Sequence, residues 1–519
     1  MNTTDFLSIA NAICPDRDLV VFEGERWSFS QANDRINRLA NSLRDLGIGK
    51  GDRIGMLHVN CNQYVEIYFA AAKIGVIFVP LNFRAKTEEL IYMINNAGAK
   101  ALFVGSRYLG MIDNMLPQLP NVKTCISLGK DGGEALYYDD LISSSSPDEI
   151  DCEIGDDDIT ILMYTAGTTG RPKGVPLRHD GFVGYVLENV EPANPEIEER
   201  NLLTVPLYHV AGIQAMLAAV YGGRTIVMMR QFEAKEWMET VQRERATRAM
   251  LVPTMLKMII DDPDFERYNL SSLKVITYGA APMPFEIIKK AIKEMPGVNF
   301  INAFGQTETA STITTLGPED HVIEGSKKER DKKLRRLTSS IGRPLPDVEV
   351  KIVDGEGNAL PPLEVGEIMA RGPRVMTGYW RDEDKTDQVI TKEGWLRTGD
   401  KGWMDEDGYI YLAGRSDDMI IRGGENISPE EVENVLYSHP SIEEASVIGI
   451  PDPEWGQQPR AVVVLKEGEH AGAEEIMEYC RTKLAGFKRP RSVIFIDSLP
   501  RNTVGKVLRK DLREKYGQP

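Results

Sequence analysis

The stretch Tyr164–Val175, YTAGTTGRPKGV, holds three threonines, three glycines and one lysine within twelve residues. Glycines let a backbone approach an anion and turn its N–H groups toward it, while threonine hydroxyls add donors and a lysine adds charge. The stretch therefore predicts a phosphate-binding loop, and the apolar run ITILMY predicts a buried strand that presents the loop at its end. Taken alone, the same residues also fit a Gly/Thr turn without a ligand.

The predicted loop is not the common phosphate loop of nucleoside triphosphatases. That motif requires Gly, four residues, and then Gly-Lys-Ser/Thr. Counting from Gly167, Pro172 stands where the second glycine is needed, and Lys173 is followed by Gly174 instead of a hydroxyl residue. The pattern argues against a P-loop enzyme and leaves the identity of the phosphate open.

Composition narrows the class of protein. A chain of 519 residues is too long for one ordinary core, which predicts at least two domains. The net charge of −17 argues against a nucleic-acid or anionic-membrane partner. The five cysteines are scattered without metal spacing and are typical of reduced thiols. The N-terminus has no basic region and no apolar run reaches transmembrane length, so we expect a cytoplasmic protein without an integral membrane segment.

The order of helix and strand signals predicts the fold class. Signals alternate between residues 32 and 105, which is typical of mainly parallel sheets covered by helices, and later segments are richer in strands. We predict an α/β fold with a large N-terminal domain of helix-covered sheets plus a β-rich subdomain (1–415) and a small mobile C-terminal α+β domain (416–519). The basic segment 326–337 is expected to be a solvated helix or loop, and the serine run 143–146 an exposed loop.

Other polar stretches narrow the chemistry. Glu308 follows Thr307 in FGQTE, and a carboxylate beside phosphates is typical of a Mg²⁺ ligand. Asp400 in RTGD offers two oxygens to the hydroxyls of a ribose, with Arg415 at the end of the large domain. Lys506 lies in PRNTVGK near the C-terminus. Each residue alone has an ordinary alternative, such as a helix cap, a turn residue or a solvated lysine, but their occurrence together in this order is specific.

Motifs of one family run along nearly the whole chain, from about residue 10 to 512: YTAGTTGRPKGV, PLYHVAG (206–212), YGAAPMP (278–284), NAFGQTE (302–308), IGRPLP (341–346), GYW (378–380), RTGD (397–400), GRSDDMIIRGGENISPEEVE (414–433) and PRNTVGK (500–506). In this order and spacing they resemble the AMP-forming acyl-CoA synthetases of the adenylate-forming superfamily. Two positions depart from the family pattern: Ala166 replaces the usual serine of the loop, and Ile421 replaces the usual lysine after GRxDDxI.

The resemblance implies an enzyme that binds ATP, a carboxylic acid and coenzyme A, with Mg²⁺ as cofactor. The acid would attack the α-phosphorus of ATP to give an acyl adenylate and pyrophosphate, and the thiol of coenzyme A would then displace AMP. Because both substrates of the first step are anions, positive groups must neutralise charge where it develops. The implied catalytic residues are Lys506, Glu308 as the Mg²⁺ ligand, Thr307 and His209.

The remaining implied contacts divide by the part of the ligand that they touch. The phosphates of ATP are expected against Thr165, Gly167, Thr168, Thr169, Gly170 and Lys173. The adenosine is expected against Gly279, Ala280, Ala281, Asn302, Ala303, Phe304, Asp400 and Arg415. Coenzyme A is expected against Gly423, Gly424, Glu425, Trp455, Phe487, Arg489 and Arg491. Core packing is the alternative for the alanines, and a solvated basic turn is the alternative for the residues around 487–491.

The resemblance also implies that the small domain rotates about Asp417 between the two reactions. Lys506 would face the site for adenylation, and the glycines of GGENI (423–427) would face it afterwards, leaving room for the pantetheine arm. His209 would gate the passage between the acyl and thiol channels, although a lone histidine in an apolar stretch is ordinarily a core residue.

The segments expected to line the acyl pocket, PLYHVAGIQAMLAAV, TYGAAPMP and TASTIT, are apolar and small. They hold no basic residue for a second carboxylate and no acid for an amino group, which argues against dicarboxylates and amino acids. We therefore expect a medium-chain, alicyclic or aryl monocarboxylic acid. One alternative stays open for the reaction: transfer of the acyl group to a carrier protein instead of coenzyme A. The oligomeric state also stays open, with a homodimer as one candidate.

Overall fold

The computed structural model describes residues 1–129, 133, 135–165, 171–415, 418–423, 425–502 and 505–518, with the backbone only at Arg415 and Asn426. The described strands form three sheets of seven, thirteen and five strands. Helices cover these sheets, in agreement with the α/β class expected from the sequence. Among the described residues, no helix combines the length and apolar character that a transmembrane span requires. All five cysteines are free thiols, as predicted.

The strands in chain order are β1 (Asp18–Phe22), β2 (Glu25–Ser28), β3 (Arg53–Leu57), β4 (Ile77–Pro80), β5 (Ala101–Val104), β6 (Thr124–Ser127), β7 (Leu136–Tyr137), β8 (Ile159–Thr165), β9 (Lys173–Arg178), β10 (Arg200–Leu203), β11 (Thr225–Met228), β12 (Arg248–Leu251), β13 (Val275–Gly279), β14 (Asn299–Gln306), β15 (Ser311–Leu316), β16 (Ser340–Pro344), β17 (Glu349–Val353), β18 (Gly366–Arg371), β19 (Leu396–Met404), β20 (Ile410–Arg415), β21 (Ile420–Arg422), β22 (Glu425–Ile427), β23 (Ile442–Asp452), β24 (Gly456–Leu465) and β25 (Ser492–Phe495).

The helices in chain order are α1 (Thr3–Ile13), α2 (Phe29–Asp45), α3 (Gln63–Lys73), α4 (Thr87–Ala97), α5 (Leu109–Met115), α6 (Tyr138–Ser144), α7 (His179–Asn189), α8 (Val210–Tyr221), α9 (Ala234–Glu244), α10 (Pro253–Ile260), α11 (Phe285–Glu294), α12 (Pro318–His321), α13 (Lys327–Ser339), α14 (Glu383–Val389), α15 (Pro429–Tyr437), α16 (Ala473–Lys483) and α17 (Arg509–Tyr516). Short 3-10 turns include Thr307–Thr309, which connects β14 to β15.

The seven-stranded sheet has the order β7-β6-β5-β3-β4-β8-β9. All neighbours in it are parallel except β8 and β9, which form an antiparallel hairpin at one edge. Every residue of β4 and β5 is buried. Strands that are covered on both faces read as continuous apolar runs, which is why the sequence predicts them well.

The thirteen-stranded sheet has the order β17-β18-β19-β20-β16-β15-β14-β13-β12-β10-β11-β1-β2. Its neighbours from β1 to β14 are parallel, and those from β14 to β17 are antiparallel. The β-rich region predicted near residues 349–415 is therefore continuous with the parallel sheet, because β16 pairs with both β15 and β20.

The five-stranded sheet lies in the C-terminal part, residues 418–518, and the large body is residues 1–415. In this sheet β23 and β24 form the long hairpin and β25 adds a parallel strand. The helix that precedes β23 begins as predicted, with the Ser428 hydroxyl accepting the N–H of Glu431 and Pro429 in the first turn. Side-chain bonds join this part to the larger body, from Lys257 to Glu443 and from Asn434 to the C=O of Thr338. The proposed boundary between residues 415 and 416 adjoins undescribed residues and stays a prediction.

One local expectation holds and one needs adjustment. The basic segment is a mostly exposed helix, α13, in agreement with the expected solvated helix or loop, and its Lys332 and Arg336 pair with Asp407. The serine run is only partly a loop, because Ser143 and Ser144 end α6 and Ser145 bonds to the hydroxyl of Ser42 on α2. In the basic segment and in the serine run, the bonding partners come from distant residues, Asp407 and Ser42, which the local sequence does not indicate.

A fully buried guanidinium lies where three segments meet. The side chain of Arg374 is 0% exposed and forms a two-pronged ion pair with the carboxylate of Asp347. It also donates to the C=O of Thr312 on β15 and lies 5.1 Å from the ring centroid of Tyr185 on α7. Such a charge is tolerated only because its partners satisfy it.

We expect Asp347→Ala to lower the free energy of unfolding by about 3–5 kcal/mol, because it leaves the Arg374 charge buried without its partner. The matched control is Glu349→Ala, which removes the exposed two-pronged pair with Arg371 and should cost less than about 1 kcal/mol. Urea unfolding followed by circular dichroism measures both changes. Equal losses in the two variants would contradict the structural importance of the buried pair.

Candidate active site

The hairpin of β8 and β9 holds the two ends of the predicted phosphate loop. Thr165, the last residue of β8, pairs in register with Lys173, the first residue of β9. Paired residues of neighbouring strands lie about 5 Å apart, so the loop leaves and re-enters the sheet at the same edge. The other expected phosphate contacts, Gly167, Thr168, Thr169 and Gly170, lie outside the described residues.

Thr307 and Glu308 lie in the 3-10 turn that follows β14, and both are half-buried. The buried hydroxyl of Thr309 fixes this turn by accepting the N–H of Gln306 at 3.1 Å and by bonding to the C=O of Ser311 at 2.8 Å. Ser311 and its predecessor have positive φ angles of 85° and 46°. Left-handed conformations of non-glycine residues cost energy and cluster at functional sites.

Lys173 and Glu308 both contact Tyr379 of the GYW motif. The phenol O–H donates to Oε1 of Glu308 at 2.9 Å, and Nζ of Lys173 lies 4.8 Å from the centroid of the phenol ring. The structure therefore brings together one predicted phosphate contact and the predicted Mg²⁺ ligand, although they are 135 positions apart in the chain. The sequence alone indicates no role for Tyr379 beyond its membership of the GYW motif.

The expected adenine contacts lie at the carboxyl ends of β13 and β14, where open α/β sheets commonly bind ligands. The two strands are parallel, with Gly279 opposite Ala303 and Tyr278 opposite Asn302. A Cβ atom on Gly279 would lie 2.2 Å from the C=O of Ala303, so only glycine fits at this position. Ala280 follows with a φ of 67° and turns the chain away from the sheet.

Asp400 and Arg415 are brought together by the antiparallel pairing of β19 and β20, in which they are direct partners. Asp400 is 6% exposed, and its N–H donates to the hydroxyl of Thr398 at 3.1 Å. The side chain of Arg415 lies outside the described atoms. The pairing of their backbones is therefore the observation that supports a common contact of Asp400 and Arg415 with the adenosine.

A cavity of about 990 Å³ lies between the large body and the C-terminal part. Its lining includes all six expected adenine contacts, Asp400, and Glu425 and Lys506 from the C-terminal part. Lys173, Thr307, Glu308 and His209 are not part of this lining. Predicted residues from distant motifs thus meet around one space, with the phosphate-side residues outside it.

Lys506 is bonded to a residue four positions earlier in the chain and follows a glycine that lies close to the large body. The N–H of Lys506 donates to Oδ1 of Asn502 at 2.8 Å. Gly505 has a φ of 76°, and a Cβ atom there would lie 2.7 Å from the hydroxyl of Thr254 in the first turn of α10. Close approach of this glycine places Lys506 on the wall of the cavity.

The expected coenzyme A contacts Gly423 and Trp455 pack on one another. The N–H of Gly423 donates to the C=O of Trp455 at 2.8 Å, and a Cβ atom on the glycine would lie 2.7 Å from the indole. The guanidinium of Arg422 covers the indole ring at 5.0 Å from the centroid. Glu425 is exposed nearby in sequence, and Gly424 lies outside the described residues.

Phe487, Arg489 and Arg491 occupy a basic turn of the C-terminal part. Phe487 is partly buried against the core of the five-stranded sheet. The guanidinium of Arg489 donates to the C=O of Leu484 at 2.9 Å, and that of Arg491 donates to the C=O of Gly486 at 3.2 Å. Both arginines bond to carbonyls of their own turn, and their expected contact with coenzyme A stays a prediction.

His209 stands immediately before α8, where its imidazole lies 4.3 Å from the ring centroid of Tyr208. Burial is the main cause that lowers the pKa of His209 to about 4, and the positive charge of Arg84 acts in the same direction. The imidazole is therefore neutral near pH 7. An uncharged side chain is compatible with a gate between two organic substrates.

The described residues fit a Mg²⁺ ion that is held mainly by a nucleotide. Mg²⁺ usually binds through one or two carboxylates plus phosphates and water. Glu308 supplies one carboxylate, which bonds to the same tyrosine that Lys173 contacts, and its second oxygen, Oε2, is bonded to none of the described side chains. Over the described ranges, no group of three or more His, Cys, Asp or Glu side chains forms a self-sufficient metal site.

Comparison with known proteins now assigns the family. The profile of AMP-binding enzymes matches residues 9–380, and the profile of the AMP-binding enzyme C-terminal domain matches residues 431–506. The chain belongs to the AMP-binding enzymes. This assignment confirms the resemblance inferred from the motifs and the α/β architecture inferred from the strand pattern.

Full-length relatives place the chain among the AMP-forming acid–thiol ligases. It is 34% identical to a feruloyl-CoA synthase of an Amycolatopsis species, over 97% of this chain and 96% of that protein. It is 33% identical to the fatty acid–[acyl-carrier-protein] ligase ScoC of Streptomyces coeruleorubidus, over 97% and 94%. The crystal structure of the anthranilate CoA ligase AuaEII with anthranoyl-AMP superposes with a TM-score of 0.90 at 28% identity, over 99% of this chain and 97% of that chain.

The buried imidazole of His209 predicts a pH dependence of stability. Its folded pKa of about 4 lies below the ordinary value of 6.5, so the unfolded chain binds the proton first as the pH falls. The free energy of unfolding should therefore fall between pH 6.5 and pH 4, by as much as about 3 kcal/mol from this residue. Urea unfolding of the wild type and His209→Asn across this range isolates the effect. A wild-type-minus-variant difference that stays constant with pH would contradict it.

Proposed function

We propose that this protein is an ATP-dependent ligase that joins a monocarboxylic acid to coenzyme A through an acyl-AMP intermediate. The observation that carries the proposal is the shared cavity, which brings the adenine-side residues and Asp400 of the large body together with Lys506 of the C-terminal part. Family membership supplies the reaction class, and this arrangement supports the roles of individual residues.

In the first half-reaction, a carboxylate oxygen of the acid bonds to the α-phosphorus of ATP. The bond between the α-phosphorus and the bridging oxygen breaks, and pyrophosphate leaves with that electron pair. Lys506 stabilises the negative charge that gathers between the acid and the α-phosphate, and Thr307 donates a hydrogen bond to the α-phosphate. Lys173 faces the departing pyrophosphate. Glu308 would hold Mg²⁺, which would further neutralise the phosphate charge.

In the second half-reaction, the thiol of coenzyme A attacks the acyl carbon, and AMP leaves with the electrons of the C–O bond. We propose that the C-terminal part rotates about Asp417 between the two steps, which brings Gly423 and Trp455 toward the site. The contact of Gly423 with the indole supports this role, because a narrow glycine surface backed by an aromatic ring suits the slender pantetheine arm. His209 acts as a neutral gate between acyl and thiol passages.

The substrate class that we propose is a medium-chain, alicyclic or aryl monocarboxylic acid. The largely apolar α8 and the small, uncharged side chains of β15 support it. Two of the similar proteins act on aryl acids by their names, feruloyl-CoA synthase and the anthranilate CoA ligase. A second candidate is transfer of the acyl group to a carrier protein, which the similarity to ScoC favours. We expect the enzyme to work in the cytoplasm.

Acid-dependent exchange of radioactive pyrophosphate into ATP tests the proposed reaction. We expect exchange with aryl, alicyclic or medium-chain monocarboxylic acids and little with dicarboxylates or amino acids. Parallel assays with free coenzyme A and with a phosphopantetheinylated carrier protein then distinguish the two thiol acceptors. Production of ADP and phosphate, or thioester formation without consumption of ATP, would refute the proposal.

Replacing Lys506 should separate the two half-reactions. We expect Lys506→Ala to slow pyrophosphate exchange by about 10²–10³-fold, because one preorganised positive donor is lost. Thioester formation from presynthesised acyl adenylate should continue near the wild-type rate. The matched control is Lys510→Ala, which removes an exposed lysine in the next helix, α17. Equal losses in both half-reactions of Lys506→Ala would contradict the two-orientation mechanism.

A further inference from the structure

A short segment, Met376–Trp380, is bonded to both sides of the expected phosphate site. The N–H of Met376 donates to the C=O of Glu308 at 2.9 Å. The N–H of Trp380 donates to the C=O of Gly174, the residue after Lys173, at 2.8 Å. The segment therefore fixes the separation between the start of β9 and the turn that carries Glu308, although neither element pairs with the other through a strand ladder.

The side chain of Tyr379 also contacts both sides of the expected phosphate site, through the Glu308 carboxylate and the Lys173 ammonium. Its O–H donates to Oε1 of Glu308 at 2.9 Å, while its ring face lies 4.8 Å from Nζ of Lys173. A phenol O–H orients a carboxylate, and an ammonium group is attracted to an aromatic face. One rigid ring thus determines where a carboxylate and an ammonium lie relative to each other.

The backbone around Tyr379 prevents the ring from drifting. Its N–H donates to the hydroxyl of Thr386 at 2.9 Å, and that hydroxyl donates to the C=O of Asp382 at 2.8 Å. A Cβ atom on Gly378 would lie 2.6 Å from Cγ2 of Thr386, so glycine at position 378 allows Thr386 to approach and bond to Tyr379. The indole N–H of Trp380 adds a bond to the C=O of Asn96 at 3.1 Å.

We infer that Tyr379 is a positioning residue that holds the Glu308 carboxylate for a nucleotide-bound Mg²⁺ and holds the Lys173 ammonium for the phosphates. The inference rests on the proposed function, since it assigns a magnesium nucleotide to these two groups. Hydrogen bonds to a metal-binding carboxylate commonly change metal affinity by 10–100-fold. A tyrosine that only filled space would need neither the O–H bond nor the cation above its ring.

Two substitutions separate the two contacts. Tyr379→Phe keeps the ring under Lys173 and loses only the bond to Glu308. We expect this variant to need about 10–100-fold more Mg²⁺ to support ATP binding, with a wild-type ATP affinity once Mg²⁺ is saturating. Tyr379→Leu also loses the cation–ring contact, and we expect its ATP affinity to stay about threefold or more below wild type even at saturating Mg²⁺. Isothermal titration with ATP at graded Mg²⁺, without an acid substrate, measures both effects in the full-length protein.

The matched control is Tyr137→Phe on β7, the edge of the seven-stranded sheet opposite to β9 and Lys173, and it removes a tyrosine-to-carboxylate bond of 2.6 Å to Asp139. It should leave Mg²⁺ dependence unchanged. The double variant Glu308→Gln with Tyr379→Phe should be no more impaired in Mg²⁺ dependence than Glu308→Gln alone, because the tyrosine acts through that carboxylate.

Failure of the Tyr379 role and failure of the proposed ligase function give different results in these titrations. If the wild type binds ATP with Mg²⁺ and Tyr379→Phe shows the same Mg²⁺ dependence, the positioning role of Tyr379 is refuted and the proposed function stands. Fully additive effects in the double variant would refute action through Glu308. If the wild type binds no ATP at any Mg²⁺ concentration, both the inference and the proposed function fail.

Discussion

The buried charge of Arg374 is the interaction on which the arrangement of the site depends. The guanidinium joins Asp347, the C=O of Thr312 on β15 and the ring of Tyr185 on α7, and it is completely shielded from water. Two residues later the chain bonds to Glu308 and continues to Tyr379. A buried charge without partners is strongly unfavourable, so the segments that supply the partners of Arg374 are held together. The positions of Glu308 and Tyr379 depend on this assembly, because the segment that follows Arg374 bonds to Glu308 and carries Tyr379.

A second constraint is that no single segment of the chain supplies the whole site. The adenine-side residues lie at the ends of β13 and β14, Asp400 lies on β19, and Lys506 lies in the C-terminal part. Close contacts that only glycine permits, at Gly279 and Gly505, bring these elements within reach of one cavity. This division fits the proposed rotation of the C-terminal part, which would exchange one wall of the cavity while the large body stays in place.

Much of this architecture can be predicted from the sequence, and the limits have physical causes. Strands such as β4 and β5 are apolar throughout because both faces are covered, and α15 begins at a recognisable serine cap. The continuity of the β-rich region with the parallel sheet depends on β16 pairing with two distant strands, which no local pattern encodes. The motifs predicted the site residues as a set, and one cavity brings the expected adenine contacts together with Asp400, Glu425 and Lys506. The role of Tyr379 was missed because its partners lie 71 and 206 positions away, and only the fold reveals those distances.

The ion pair between Lys257 and Glu443 links the large body to the C-terminal part. The same ammonium also binds Asp261 on its own side, so separating the two parts exchanges one partner for water without stranding the charge. Because the pair is partly exposed, ionic strength weakens it through screening. This contact can therefore break without leaving a charge unpaired, and added salt is expected to weaken this link between the large body and the C-terminal part.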